Sequence, residues 1–220
     1  MTALPKNHDM RHESLEEESR RLGPDTSVPD WLNLTFYASY HSHPINIAIH
    51  MICIPIILWS FLLLLAHIPL GSGAVTKVGP WLAFQPNVAL VYNAAYVAYY
   101  FALEPFAAMT YLPHAILSQL TVTYLANTPA SAHPFGLSGL RIASYGQLFG
   151  WLSQFAGHGF AEGRAPALLD NLLQAVVLAP FFSHLESLFL LFNYNPKLQA
   201  EIARGVQADK AARKVGKKVQ

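Results

Sequence analysis

The chain has 220 residues, of which 53% are hydrophobic and only 12% are charged, about half the charged share usual for a soluble domain. Residues 31–196 contain just seven Asp, Glu, Lys or Arg residues, which excludes an ordinary water-soluble domain and predicts an all-α, multi-span helical membrane protein. The net charge of +1, with no basic stripe, argues against a nucleic-acid partner. A single cysteine, Cys53, excludes an intramolecular disulfide.

The sequence predicts three segments of different character. Residues 1–30 alternate acidic and basic side chains without an apolar run, which indicates a disordered cytosolic arm. Residues 31–196 form the predicted membrane-embedded catalytic domain. Residues 197–220 form a basic cytosolic tail.

Four apolar segments are long enough to be membrane spans, because about 20 helical residues cross roughly 30 Å of hydrocarbon. Pro44 suits the first turn of the first helix. Arg141 and two glutamines in the fourth segment indicate a helix that faces protein rather than lipid. The predicted spans are Ile45–Ala66, Trp81–Leu103, Phe106–Ala126 and Leu140–Gly157.

The last apolar stretch, Pro166–Phe192, contains Pro180 and several polar residues, so we predict a re-entrant or broken helix pair. Lys and Arg are concentrated in the arm and the tail, which predicts that both termini face the cytosol. Four crossings plus a re-entrant segment satisfy this orientation. The final residues, KKVQ, resemble a dilysine signal for endoplasmic-reticulum retrieval; the alternative is an ordinary basic tail at an anionic membrane surface.

Two groups of titratable side chains fall at the same predicted membrane face. His41 and His50 lie at the cytosolic entrance of the first span, and the fourth span returns there with His158 and Glu162. Asn46 precedes His50 by four residues, so the two share one helix face. The predicted topology therefore allows both histidine groups to meet.

A histidine in a membrane helix is more often a hydrogen-bonded packing residue than a metal ligand, and spacing alone leaves both readings open for the two groups. The sequence has no HExxH motif and no repeated HxxHH box, which argues against a two-iron desaturase or hydroxylase. The packing interpretation is the one we assign to the remaining histidines of the apolar region: His67, His114, His133 and His184.

Two separated blocks resemble the endoplasmic-reticulum 2-hydroxy fatty acid dioxygenases of fungal α-oxidation. The first is FYASYHSHPINIAIHMICIP, residues 36–55, and the second is GWLSQFAGHGFAEGRAPALLDNLLQAVVLAP, which begins at Gly150. The resemblance implies an iron(II) enzyme that shortens long-chain 2-hydroxy fatty acids by one carbon, with O2, during phytosphingosine breakdown. Imidazole ligands suit non-heme iron(II) and leave positions open for other ligands.

The resemblance also implies roles for residues of the two blocks. His41, His50 and His158 are expected to bind iron, with Glu162 as a fourth ligand or a partner that fixes an imidazole. Arg164 is expected to pair with the substrate carboxylate, and Asn46 to orient His41 or a water molecule. The acyl tail would stay among the apolar helices and the lipid bilayer.

Two other classes of function remain open from the sequence. The histidines could satisfy one another in a non-catalytic lipid-binding membrane scaffold. Two of them could instead hold heme in a membrane electron carrier.

Overall fold

The structure, a computed structural model, describes Thr35, Ala38 and residues 43–133, 136–162 and 172–218. The predicted arm, residues 1–30, lies outside these residues. The described part consists of helices and one β-hairpin, which confirms the helical class. The elements are α1 (Pro44–Ala66), β1 (Thr76–Gly79), β2 (Leu82–Phe84), α2 (Val88–Leu103), α3 (Pro105–Ala126), a 3-10 turn (Ala130–Ala132), α4 (Gly139–Ala156), a π-helix (Gly157–Glu162), α5 (Leu172–Phe192) and α6 (Pro196–Lys218).

Helix α1 lies at the centre of the fold and contacts α2, α3, α4, α5 and the π-helix. It begins where the sequence predicts, with Pro44 in the first turn and His43 as N-cap; His43 Nδ1 accepts from the Ile45 N–H at 3.3 Å. Its mean hydropathy is 2.5. Of the 18 residues that form its most apolar stretch, 33% are buried inside the protein. Among the described helices, α1 is the one that is long and apolar enough to cross a membrane by itself. The four predicted crossings stay a prediction.

The second predicted span is wrong in its first seven residues, which precede the helix. Trp81 lies in the turn of an antiparallel β-hairpin, in which Thr76 pairs with Phe84 and Lys77 with Ala83. Helix α2 starts only after Asn87, whose side chain accepts from the Leu90 N–H at 3.0 Å. Its 16 residues span about 24 Å, which is shorter than the hydrocarbon core.

Of the last predicted apolar stretch, Pro166–Phe192, the structure describes residues 172–192, and this part is one helix. Helix α5 continues through Pro180, and the chain bends by 119° between α5 and α6 instead. Asn193 and Asn195 have φ of 48° and 43° there, a left-handed conformation that asparagine tolerates better than most residues. The Tyr194 hydroxyl donates to Glu104 Oε1 at 2.9 Å, which ties this bend to the start of α3. The predicted tail after residue 196 is helical to Lys218.

Helix α5 tolerates Pro180 because α2 supplies the missing donor. A proline has no N–H, so the Val176 carbonyl, four residues earlier, loses its partner within the helix. The Tyr96 hydroxyl donates to that carbonyl at 3.1 Å, and Tyr100 donates to the next one, Val177, at 3.0 Å. Tyr100 is fully buried and stacks on Phe181 with ring centres 4.4 Å apart.

Substitution Tyr96→Phe is expected to lower the free energy of unfolding by about 1–3 kcal/mol, because it leaves the Val176 carbonyl without a donor. Thermal unfolding of the purified protein in detergent measures the effect as a drop of the midpoint. The matched control is Tyr99→Phe, since Tyr99 is 39% exposed. Equal effects of the two substitutions would contradict this role of Tyr96.

Candidate functional site

His50 is held on the buried face of α1, with only 4% of its surface exposed. Its Nδ1 lies 2.8 Å from the backbone carbonyl of Asn46, one turn earlier. A carbonyl oxygen can only accept, so Nδ1 carries a proton, and in the neutral ring Nε2 is the nitrogen with the lone pair. This is the arrangement by which proteins fix the tautomer of a metal-binding histidine.

His158 lies in the π-helix that continues α4 and is 3% exposed. The sixth residue of this segment, Glu162, ends it. A π-helix widens the turn and shifts the side chains that follow, and such turns occur often at functional sites. The α-helical part of the predicted fourth span ends at Ala156, one residue before the predicted end. The chain continues as the π-helix, which contains the two glycines on either side of His158.

Small residues on α4 let this helix approach α1 closely. A Cβ at Gly146 would come within 2.7 Å of Ser60 Cβ, and one at Gly150 would overlap the Ile57 side chain. A Cβ at Gly157 would lie 2.5 Å from Asn46 Oδ1. Gly157 thus brings the backbone of the π-helix close to α1.

The close approach of α1 and α4 brings the two histidine groups together. The ring centroids of His50 and His158 are 4.8 Å apart, and the ring planes are nearly perpendicular at 86°. These residues are over a hundred positions apart in sequence. Neighbouring imidazole ligands of one metal ion, each bound at about 2.1 Å, place their ring centres roughly 4.5 Å apart, so this pair fits such a site.

The same separation does not suit heme. Two axial imidazoles lie on opposite faces of a heme, with ring centres roughly 6 Å apart and the porphyrin between them. His50 and His158 are in edge-to-face contact instead. His50 and His158 in this arrangement therefore do not suit the two axial positions of a heme.

The other predicted site residues are only partly covered by the structure. His41 and Arg164 lie outside the described residues, and for Glu162 the structure describes the backbone alone. Within the described part of the chain, no group of three or more His, Cys, Asp or Glu side chains is close enough to hold a metal ion. His50 and His158 are therefore two donors of a proposed site whose remaining donors are predicted from the sequence. Asn46 is fully buried, and its backbone carbonyl contacts His50.

The histidines interpreted as packing residues make local contacts. His67 Nδ1 lies 2.8 Å from the Leu63 carbonyl, and His133 Nδ1 lies 2.7 Å from the Leu137 carbonyl. His184 Nε2 lies 2.8 Å from Thr110 Oγ1, and the His114 ring contacts Tyr111 at 5.3 Å between centroids. The sequence did not predict that His114 and His184 line one cavity, because they lie on different helices far apart in the chain.

Comparison with known proteins adds an independent observation. Residues 32–190 match the sequence profile of the Mpo1-like family, described as 2-hydroxy-palmitic acid dioxygenase Mpo1-like. The chain belongs to this family. It is 32% identical over 174 residues to the 2-hydroxy-palmitic acid dioxygenase MPO1 of Saccharomyces cerevisiae. This alignment covers 79% of the present chain and 87% of the yeast protein. No solved structure matches the chain significantly.

The match confirms the family resemblance recognised in the two sequence blocks. It includes both His50 and His158, and it ends two residues before the end of α5. Helix α6 and the residues after it therefore lie outside the matched region.

Proposed function

We propose that this chain is an iron(II)-dependent dioxygenase that cleaves the C1–C2 bond of long-chain 2-hydroxy fatty acids and releases the acid shortened by one carbon. Family membership supports the reaction class. The observation that carries the proposal is the contact between His50 and His158, two buried imidazoles on separate elements with rings 4.8 Å apart.

The donor set fits iron(II), since imidazole nitrogen with a carboxylate is the ligand chemistry of non-heme iron oxygenases. His50 and His158 would hold the metal, together with His41 and with Glu162 either as a ligand or as a partner of an imidazole. Bound iron would supply the activation of O2. The protein contributes a fixed His50 tautomer and a burial that excludes water from both rings.

The reaction balances without an external reductant. A 2-hydroxy acid, RCH(OH)COOH, and one O2 give RCOOH, CO2 and water; the C1–C2 bond breaks, the substrate loses four electrons and O2 gains them. Arg164 is proposed to pair with the substrate carboxylate, and that ion pair would hold C1 and C2 beside the metal site. The acyl tail would remain in contact with the apolar surface and the bilayer.

The test is product analysis with purified protein, iron(II), O2 and 2-hydroxyhexadecanoic acid. We expect pentadecanoic acid, with one O2 consumed per acid formed. Hexadecanoic acid, which lacks the 2-hydroxyl, is the control substrate and should not be shortened. A protein with bound iron and no product would count against the activity, and a heme Soret band would favour the electron carrier.

We further propose that the protein resides in the endoplasmic-reticulum membrane with four crossings and both termini in the cytosol. The apolar α1 supports membrane association, and KKVQ at the C-terminus supports retrieval.

Replacing Lys217 and Lys218 by Ser is expected to move part of the protein to later secretory compartments, because a dilysine signal is read as a pair. Fluorescence microscopy of the tagged protein, with the tag at the N-terminus, measures the distribution. Substitution of Lys210 and Arg213 by Ser removes the same charge from the same helix and serves as control. Equal redistribution by both variants would indicate charge at the membrane surface rather than a retrieval signal.

A further inference from the structure

A cavity lies on another flank of α1, between α1, α3 and α5. Its volume is about 180 Å³. Its lining from α1 is apolar, its lining from α3 and α5 is polar apart from Pro180, and among the described residues neither Lys, Arg, Asp nor Glu lines it. The lining residues are Met51, Pro55, Leu58, Tyr111, His114, Pro180, Ser183, His184 and Ser187.

This cavity is distinct from the His50 and His158 site. At 3.6 residues per turn, the face of α1 that carries Asn46 and His50 is roughly 140° away from the face that carries Met51 and Pro55. The first face contacts α4 and the π-helix, and the second contacts α3 and α5. The cavity is therefore separate from the space around His50 and His158.

The polar wall is one connected group of side chains. Tyr111 contacts both imidazoles, with its ring centroid 5.3 Å from His114 and 5.3 Å from His184. Thr110 Oγ1 lies 2.8 Å from the Ala107 carbonyl and 2.8 Å from His184 Nε2. Since the single hydroxyl hydrogen of Thr110 is donated to the carbonyl, Nε2 of His184 must donate to Thr110.

This assignment fixes what His184 can offer a ligand. In the neutral ring Nδ1 is an acceptor for an O–H group, and in the protonated ring it is a donor to an oxyanion. The Tyr111 and Ser183 hydroxyls add donors on the same wall. The Ser187 hydroxyl donates to the Ser183 carbonyl at 3.0 Å, so it offers a ligand only an acceptor. A carboxyl group matches this wall, because it presents one O–H and one C=O when neutral and two acceptors when ionised.

The size of the cavity and the position of its edge indicate the rest of the ligand. Cavities of about 150 Å³ accept a molecule as large as benzene, so this one holds a carboxyl group and a few methylenes, and a long chain must extend outward. His114 is exposed on α3, and Leu117, one turn further along the same helix, is 55% exposed. An acyl chain that leaves the cavity beside His114 meets this apolar surface.

We propose that this cavity binds the carboxyl group of a long-chain fatty acid, with the acyl chain lying on the outer surface of α3. The proposal does not depend on iron or on turnover. The carboxyl group could belong to an unsubstituted fatty acid or to a 2-hydroxy acid, and we assign the site to the unsubstituted acid because the polar wall is on one side only and apolar Met51, Pro55 and Leu58 face it.

The experiment is photolabelling of the purified full-length protein with hexadecanoic acid that carries a diazirine near its carboxyl end. Labelled peptides are mapped by mass spectrometry, and the matching hexadecanol diazirine is the comparison probe. We expect the acid to label the peptide that contains Ser183 and Ser187, and the alcohol to label it about tenfold less, because it lacks a charge-assisted hydrogen bond. Excess unlabelled hexadecanoic acid should abolish the labelling.

His184→Leu and His114→Leu should each reduce acid labelling by about tenfold. The matched control is His67→Leu, a half-buried histidine at the end of α1 that lies outside both sites. His114 is exposed, so His114→Leu is expected to fold. If His184→Leu does not fold, as judged by gel filtration in detergent, the result for His114→Leu decides the test. Equal labelling by acid and alcohol, no effect of His114→Leu, or protection by 2-hydroxyhexadecanoic acid alone would each overturn the proposal. Since product formation is measured separately, loss of turnover with intact labelling concerns the proposed enzyme activity and leaves this site standing.

Discussion

His50→Ala and His158→Ala are each expected to remove most of the bound iron and to lower formation of the one-carbon-shorter acid by more than about a hundredfold. The reason is that each substitution removes one of two imidazoles that are in direct contact, and even partners outside the ligand shell typically cost about 10–100-fold. Iron per protein by elemental analysis and product by mass spectrometry measure the two effects.

The double variant tests whether the two histidines act as one site. Residues that act as a unit fail together once one is removed, so His50→Ala combined with His158→Ala should be no worse than either single variant. Losses that multiply would indicate two independent contributions and would contradict a shared metal.

Helix α1 offers a closely matched control for His50. His67 is the C-cap of the same helix, and its Nδ1 lies 2.8 Å from the carbonyl four residues earlier, as it does in His50. The local contact of the ring is therefore the same, and only the surroundings differ. His67→Ala should retain iron and turnover, and comparable losses in both variants would show that the phenotype reflects helix packing.

Two further substitutions address donors that were predicted from the sequence. His41→Ala should behave like His50→Ala if His41 is a ligand. Glu162→Gln distinguishes two roles, because a direct ligand should lose iron as severely as the histidines, whereas a partner of an imidazole should cost only about 10–100-fold in affinity or activity. Retention of full iron by either variant would remove that residue from the proposed ligand set.

The sequence predicted the helices well where their ends carry local signals. Pro44 marked the start of α1, Pro105 that of α3, and both helices lie within one residue of the predicted spans. It failed at Trp81, because an apolar run that continues into a helix hides a β-hairpin, whose strands are too short to show a period. The sequence also does not show why helix α5 tolerates Pro180, since the donor to the Val176 carbonyl comes from Tyr96, eighty residues earlier.

The part of the candidate site that depends on local spacing within one helix was predictable from the sequence. The spacing of Asn46 and His50 fixes a shared helix face, and the predicted return of the fourth span placed His158 nearby. The packing that sets the ring contact depends on which residues of α1 lie opposite the glycines of α4, and this register is a tertiary property. The cavity beside His114 and His184 was not predictable, because three separate helices form it.

Gly157→Ala is expected to lower turnover by about a hundredfold although it changes no proposed ligand. The added methyl group would lie 2.5 Å from Asn46 Oδ1 and 3.2 Å from Ile49 Cδ1, so the π-helix must move away from α1. Displacement of a catalytic group by about 1 Å can cost about a hundredfold in rate. Overpacking should also lower the free energy of unfolding, by about 1–3 kcal/mol, measured by thermal unfolding in detergent.

Gly159→Ala provides the matched control, because it adds the same methyl group two residues further along the same π-helix, where no atom of the described residues lies within 4 Å. Its turnover and iron content should stay within about twofold of the original protein, since an alanine in open space costs nothing in packing and favours helical backbone. If the contact between the π-helix and α1 positions His158, the two alanines must therefore differ sharply in activity. Equal activity of Gly157→Ala and Gly159→Ala would show that the site tolerates a shift of the π-helix, and the 4.8 Å contact between His50 and His158 would then not be what turnover requires.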